Sequence, residues 1–301
     1  MNTRARVKAV PALVAASIGL GSFGKLSQVL AHEGHDHGVA KLQPTGFEEI
    51  NLTIEESGVT GMPESIEAGR YLVNVSGPAG SPETGPTGLF FVQFPKGITP
   101  EQALDDVMSA EGAPPEWYLD AHYGGGVSLN LGTENWGIIE LTAGNWIVTT
   151  LFGTTLGVQF EVTGEIAEDS AAPEANVVLE LVEMSILVSE GEFITGDNLI
   201  EVVNNGAQMH FVDIGKVPDG TTHEDVETLF ESFMTGTPAA GGLQESDLAM
   251  IGYFPEQSHG TTQWINLTLE PGTYFLACWA PDPETMMPHA FMGMWELVTV
   301  E

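Results

Sequence analysis

The sequence predicts an all-β protein made of two β-sandwiches in tandem, each with a short helix in a long loop. Two observations predict this fold. Short apolar runs are broken by turn residues along the chain, which contains 36 Gly and 18 Pro among 301 residues, and such runs are typical of strands. The same order of segments also occurs twice, and the length accommodates two ordinary domains.

The first 31 residues have the pattern of an export signal. Basic residues open the segment, residues 9–23 are apolar, and cleavage is expected after Ala31. The apolar run is short for a membrane span and is followed by Lys25, although an uncleaved anchor is the alternative interpretation. No later segment is apolar enough to span a bilayer. We therefore expect an exported protein that is periplasmic, extracellular or at the cell surface, with no membrane span in the mature chain.

Composition divides the remainder into four segments. We expect a His-containing tail and linker at 32–50, a first β domain at 51–166, an acidic Pro-containing linker at 167–176 and a second β domain at 177–301. Cleavage would place His32, His35 and His37 near the new amino terminus. These imidazoles could chelate copper or zinc, and the alternative is a disordered tail that binds metal weakly.

The net charge limits the kinds of partner. The chain has 42 acidic and 8 basic residues, a formal charge of -34. Such a surface is unsuited to nucleic acid and to anionic lipid. It is interpreted either as a solvated acidic coat or as a docking face for a basic protein.

The two β domains look like copies of one unit. Each contains a strand, a helix that begins at a Thr cap with acids in its first turn, a hairpin with a Gly turn, and a closing strand. The matching segments are 89–92 with 209–212, 99–108 with 222–230, 140–148 with 269–276, and 158–162 with 294–298.

The second copy contains a set of residues that could bind copper. Cys278 is the only cysteine, and His289 and Met294 follow it within seventeen residues, while His210 lies upstream. Two His, one Cys and a weak axial Met are the ligands of blue-copper electron-transfer centres. Taken singly, the Cys and the two His would also suit a packed core or a turn. Met292 competes with Met294 for the axial position, and strand register favours Met294.

The first copy lacks these ligands. In the alignment above, Phe90 stands at the position of His210 and Thr150 at that of Cys278. The first copy is therefore predicted to be a packing or docking module without metal.

The second copy resembles the plastocyanin/azurin-type blue-copper proteins, the cupredoxins. The resemblance rests on Asn204-x-Gly206-x3-His210, on the strand that leads into Cys278, and on His289-x4-Met294. It implies two Greek-key cupredoxin-like sandwiches and one type 1 copper, bound in the second. The loop between Cys278 and His289 is longer than in small plastocyanins and closer to that of copper nitrite reductases. Phe211 stands where many members carry a polar residue.

The resemblance implies an electron carrier rather than an enzyme, with a redox partner protein that is basic if the acidic surface serves docking. One alternative is a copper-handling protein whose His tail collects metal. The other is an enzyme similar to copper nitrite reductase or a multicopper oxidase. Those enzymes need a second copper and a His beside the Cys ligand, whereas Ala277 and Trp279 flank Cys278 here.

Overall fold

The computed structural model describes residues 43–81, 86–109, 114–151, 156–167, 171–236 and 242–301. The first half contains strands β1 Glu48–Glu55, β2 Gly58–Thr60, β3 Ser65–Glu67, β4 Gly69–Ser76, β5 Thr87–Gln93, β6 His122–Asn130, β7 Glu134–Leu141, β8 Gly144–Thr150 and β9 Val158–Thr163. The second half contains strands β10 Val177–Val182, β11 Ser185–Gly191, β12 Gly196–Asn204, β13 His210–Val217, β14 Ala249–Gln257, β15 Thr262–Leu269, β16 Gly272–Ala277 and β17 Trp295–Val300.

Among the described residues, the first half has one α-helix, after β5, and the second half has one, after β13, each in a loop as the sequence predicts. Helix α1 spans Pro100–Ser109, between β5 and β6, and helix α2 spans His223–Thr235, between β13 and β14. The predicted Thr cap of α2 is confirmed: the Thr222 hydroxyl accepts the Asp225 N–H, and the Asp225 carboxylate accepts the Thr222 N–H. This capping box satisfies N–H groups that the first turn leaves free. Neither described helix has the length and hydrophobicity that a bilayer span requires.

The strands form two sheets that run through both halves of the molecule. One sheet has the order β11-β10-β12-β15-β7-β4-β1-β2, and the other has the order β17-β16-β13-β14-β6-β5-β8-β9-β3. The sheets face each other, since apolar residues of both contribute to the same core clusters. The predicted all-β sandwich fold is confirmed, but the sequence did not predict that the two sandwiches would share their sheets.

The halves join edge to edge through two antiparallel strand pairs. β15 pairs with β7, where Trp264 lies opposite Ile138, and β14 pairs with β6, where Gln257 lies opposite Gly124. The main core cluster also crosses this junction, because it includes Tyr123 of the first half beside strands of the second. Each half therefore covers the junction strands of the other, and β6, β7, β14 and β15 become central strands of the shared sheets.

Apart from β3, which pairs with β9 and has no counterpart among the described strands of the second half, both halves have the same strand order and strand directions. From the junction outwards, β7-β4-β1-β2 corresponds to β15-β12-β10-β11, and β6-β5-β8-β9 to β14-β13-β16-β17. The strand register corrects the alignment made from the sequence. Gly144 begins β8, the neighbour of β5, and Gly272 begins β16, the neighbour of β13. When positions are counted from these two glycines, Phe90 matches Asp213 and Thr87 matches His210. That the halves are copies of one unit, with the predicted domain boundaries, stays a prediction.

Two tyrosines from the first half lie near Glu256, a buried acid of the second half, at the junction. The Tyr118 hydroxyl donates to the Glu256 carboxylate at 3.2 Å, and the Tyr123 hydroxyl donates to the Tyr118 carbonyl at 2.9 Å. Tyr253 lies opposite Asp213 in the β13–β14 pair. Burial raises the pKa of Glu256, and burial together with the negative charge of Glu256 raises the pKa of Asp213 to about 7. A carboxyl with such a pKa is partly protonated at neutral pH.

Candidate metal centre

Three predicted ligands come together at one end of the second half. His210 begins β13, Cys278 directly follows β16, and His289 begins a short 3-10 helix that spans His289–Met292. The His210 Nδ1 lies 3.1 Å from the His289 Nδ1, and the Cys278 Sγ lies 3.7 Å and 3.6 Å from these two nitrogens. All three side chains are 0% exposed.

The triangle of donor atoms has the size that a single metal ion requires. A point in its plane that is equidistant from the three atoms lies about 2.0 Å from each. Metal bonds to imidazole nitrogen are about 2.0–2.1 Å long and those to thiolate sulfur about 2.3 Å. The two nitrogens and the sulfur therefore form a group that could hold a metal ion.

Gln208 fixes the orientation of the His289 ring. The His289 Nε2 lies 2.8 Å from the Gln208 Oε1, which can only accept a hydrogen bond. Burial lowers the pKa of His289 to about 4, so the ring is neutral at pH 7. The single ring proton is therefore on Nε2, and the Nδ1 lone pair points at His210 and Cys278.

His210 has no arrangement of its proton that satisfies both ring nitrogens. Its pKa is lowered to about 4, first by burial and then by His289. With the proton on Nε2, towards the Glu183 carboxylate 3.6 Å away, the Nδ1 lone pair faces that of His289. With the proton on Nδ1, the buried Nε2, which has no hydrogen-bond partner, turns a lone pair to the carboxylate. A cation between the two Nδ1 atoms removes the conflict.

The Cys278 thiol is protonated in the absence of a cation. Burial raises its pKa to about 12, although hydrogen bonds from the backbone N–H groups of Phe211 and Ala280 lower it. The negative charges of Asp213 and Glu256 add to the rise. Because metals bind the thiolate, metal binding at this site must release the thiol proton. The backbone N–H of Ala280, two residues after Cys278, is thus a hydrogen-bond donor to the sulfur.

The two candidate axial methionines lie in different surroundings. Met294 is 0% exposed and belongs to the same core cluster as Cys278, and its carbonyl accepts the Cys278 N–H at 3.0 Å. Met292 is 38% exposed and lines an open groove with Phe230 and Trp295. Met294 is thus the buried one of the two, and the assignment of the axial position to Met294 stays a prediction.

The turn before His210 is held by buried amides. The Asn204 Nδ2 donates to the carbonyls of Gln208 and Gln257 at 2.9 and 2.7 Å, and its Oδ1 accepts the Gly206 N–H at 2.9 Å. A Cβ on Gly206 would lie 2.7 Å from the His210 Nε2, so a side chain here would force the turn or the ring to shift. The Asn204-x-Gly206 motif therefore brings the backbone against the His210 ring.

The long loop between Cys278 and His289 is a closed hairpin. The His289 N–H donates to the Ala280 carbonyl at 2.9 Å, and the Ala290 N–H donates to the Cys278 carbonyl at 2.7 Å. At the tip, the Asp282 carboxylate accepts hydrogen bonds from the Thr285 N–H and hydroxyl. The additional residues of this loop thus form hydrogen bonds with one another, and Cys278 and His289 remain adjacent.

His32, His35 and His37, the predicted tail ligands, are outside the described residues. Two other imidazoles make contacts of their own. His122 lies against Trp146 in the first half, with ring centroids 5.6 Å apart, and the His259 Nδ1 bonds to the Gly206 carbonyl at 2.7 Å.

Sequence reasoning missed two residues of the site. Gln208 contacts His289, and Glu183 lies beside His210 and accepts the Gln208 N–H at 2.8 Å. Glu183 lies in the β10–β11 hairpin, and no ligand-spacing motif marks a residue there. Gln208 lies within the Asn204–His210 motif, but only at one of its unspecified positions.

No protein-family model matches the chain, and no curated protein matches it in sequence. Solved structures do match. The auracyanin of Roseiflexus castenholzii is 21% identical, with 41% of this chain and 94% of that chain covered and a TM-score of 0.27. Auracyanin A, a "blue" copper protein of Chloroflexus aurantiacus, is 17% identical over 41% and 96%, with a TM-score of 0.26. An azurin of Methylomonas sp. strain J is 13% identical over 41% and 95%, with a TM-score of 0.25.

The chain is thus similar, over about 41% of its length, to solved structures of cupredoxins, and it contains a buried His–Cys–His group that could hold a metal ion.

Proposed function

We propose that this chain is a blue-copper protein that carries single electrons through one type 1 copper. His210, Cys278 and His289 would hold the metal, with Met294 as the weak axial ligand. The observation that carries the proposal is the buried triangle of two Nδ1 atoms and one Sγ, with edges of 3.1, 3.6 and 3.7 Å. Two imidazoles, one thiolate and a distant thioether are the donor set of such centres.

The chemistry of the side chains fits this role. When bound, copper supplies a one-electron couple between Cu(II) and Cu(I). Both imidazoles have a pKa of about 4, so they are available as neutral donors above that pH. The four residues are fully buried, and backbone hydrogen bonds join Cys278 to Met294 and Ala280 to His289. Rigid donors change little between oxidation states, which suits electron transfer rather than turnover of a substrate.

The partner is proposed to be a basic redox protein. The formal charge of -34 favours attraction to a basic surface. Met286 lies in the loop between Cys278 and His289 and is 36% exposed, and Met292 lies shortly after His289 and is 38% exposed. They would form an apolar contact within an acidic surface. Such contacts can accommodate partners of different shape, because methionine side chains are flexible.

The protein is proposed to act outside the cytoplasm. The proposal is supported by the export pattern of residues 1–31 and by the lone Cys278. A single thiol cannot form an intramolecular disulfide in an oxidising compartment, and ligation of a metal gives it a role there.

Metal analysis combined with visible absorption and electron paramagnetic resonance tests the function. We expect one copper per chain, an intense absorption near ~600 nm and a narrow copper hyperfine splitting, which mark a Cu(II)–thiolate bond. The proposal is overturned if the purified protein binds copper without this band, or if it retains only zinc when both metals are offered.

A further inference from the structure

We propose that Gln208 is a positioning residue of the metal centre: its side-chain amide holds the His289 ring with the Nδ1 lone pair directed at the metal. The identity of the metal rests on the proposed function, but the orientation of the ring does not. Groups that bind the outer nitrogen of a ligand imidazole commonly fix its tautomer and strengthen metal binding.

The contact is direct and well defined. The His289 Nε2 lies 2.8 Å from the Gln208 Oε1, and an amide oxygen cannot donate. His289 is 0% exposed, so this nitrogen has no access to bulk water. Loss of the amide would therefore leave a buried ring N–H without its partner, and the free energy of that defect would favour a turned or tautomerised ring.

Gln208 is itself held in place from three sides. Its backbone N–H donates to the Glu183 carboxylate at 2.8 Å, and its carbonyl accepts the Asn204 Nδ2 at 2.9 Å. Its side-chain Nε2 donates to the Asp282 carboxylate at 3.2 Å. Because a carboxylate only accepts, the Nε2 must face Asp282, and the Oε1 must then face His289. The direction of the amide is thus determined by its neighbours.

Gln208 also separates the ligand ring from solvent. The residue is half-buried, whereas His289 beneath it is fully buried. Two roles can therefore be distinguished: a cover that needs only volume, and an orienting group that needs the amide oxygen. The proposal commits to the second role.

Two variants separate these roles. Gln208→Met keeps a side chain of similar length and volume but removes the hydrogen bond, and Gln208→Ala removes both. Gln159→Ala, at an exposed glutamine of β9 in the first half, is the matched control. The first measurement is nitrogen-15 NMR of the imidazoles in the metal-free protein, which reports the tautomer and the solvent exchange of the His289 Nε2–H. The second is the Cu(II) affinity, by competition with a chelator.

We expect the wild type to show a slowly exchanging Nε2–H at His289. Both Gln208 variants should lose this protection and bind Cu(II) about 10–100-fold more weakly, and the control should match the wild type. Wild-type protection and affinity in Gln208→Met would overturn the proposal, because volume alone would then suffice. Rapid exchange of the Nε2–H in the wild type would overturn it as well.

The two proposals fail differently. A wild type that forms no blue copper centre but shows the protected Nε2–H, lost in both variants, removes the proposed function and keeps the orienting contact. A blue wild type whose Gln208→Met variant has unchanged NMR signals and affinity removes only the role of Gln208.

Discussion

The backbone N–H of Cys278 donates to the carbonyl of Met294 at 3.0 Å. This bond links the two sulfur-bearing residues of the site at the point where β16 ends and β17 begins. The loop that contains His289 closes between them. Substitution of either sulfur-bearing side chain should therefore alter the properties of the bound metal and leave the pairing of β16 with β17 intact.

Cys278→Ser should abolish the blue absorption. A hydroxyl oxygen does not form the covalent bond to Cu(II) that produces the colour, and its proton is harder to remove than that of a thiol. Absorption and copper content measure the loss, and far-ultraviolet circular dichroism checks the fold. The exposed His223→Gln variant is the control and should stay blue. A blue Cys278→Ser protein would place the chromophore elsewhere.

Met294→Leu should keep the colour and raise the reduction potential. A thioether at the axial position favours Cu(II) more than a methyl group does, so its removal favours Cu(I). We expect a rise of about 60 mV or more, equivalent to a tenfold change in the redox equilibrium. Potentiometry measures it. Met292→Leu, at the exposed neighbour, should leave the reduction potential unchanged. If Met292→Leu raised the potential and Met294→Leu did not, Met292 would be the axial residue instead of Met294.

Gly206→Ala should weaken metal binding. The new Cβ would lie 2.7 Å from the His210 Nε2 and 2.8 Å from the Glu183 Oε1, so the His210 ring or the turn backbone must move and the donor positions must change. We expect a stability loss of roughly 1–3 kcal/mol, accompanied by weaker Cu(II) binding. Gly69→Ala is the control, because its Cβ would meet nothing closer than 3.8 Å. Equal copper affinities in the two variants would contradict the prediction.

Asp213→Asn should stabilise the protein at alkaline pH. The residue as a whole is only half-buried, but its carboxyl is desolvated, and its pKa is raised from 3.8 to about 7. Glu256, Tyr253 and the Cys278 thiol are the titratable groups near it. Because the folded pKa is the higher one, this group contributes full stability below about pH 4 and loses that contribution as pH rises to about 7.

The measurement is the free energy of unfolding at pH 4 and pH 8. The Asn variant should match the wild type at pH 4 and exceed it at pH 8, by on the order of 2–4 kcal/mol. Asp105→Asn, at an exposed position of α1, controls for the general loss of negative charge. If the free energy of unfolding at pH 8 rises equally in both variants, relief of repulsion between surface charges explains the effect, and the prediction for Asp213 is wrong.

The types and order of the ligands could be predicted because the loops that contain them are local in sequence. His289 and Met294 follow Cys278 at short spacing, and β16 and β17 lie directly before and after this segment. The pattern of the two strands is therefore enough to predict that these residues lie close together. The same locality explains the helix caps at Thr99 and Thr222, where each cap bonds the residue three positions later.

The contacts that were missed join residues distant in the chain. Gln208 and His289 are 81 positions apart, and Glu183 reaches its partner Gln208 across 25. Polar side chains of this kind have no periodicity to reveal them, and only the folded register brings them together. The sharing of both sheets was missed for a similar reason, because the apolar pattern of β14 and β15 suits an edge strand and a central strand alike.

The shared sheets also decide whether the half with the metal ligands could exist by itself. A cut in the segment before β10 would remove β6 and β7 and uncover the backbone of β14 and β15, which pair with them. Exposed strand edges recruit other chains and lead to aggregation. We therefore expect the half with the His–Cys–His group, if it is produced alone, to associate with other chains through these strand edges.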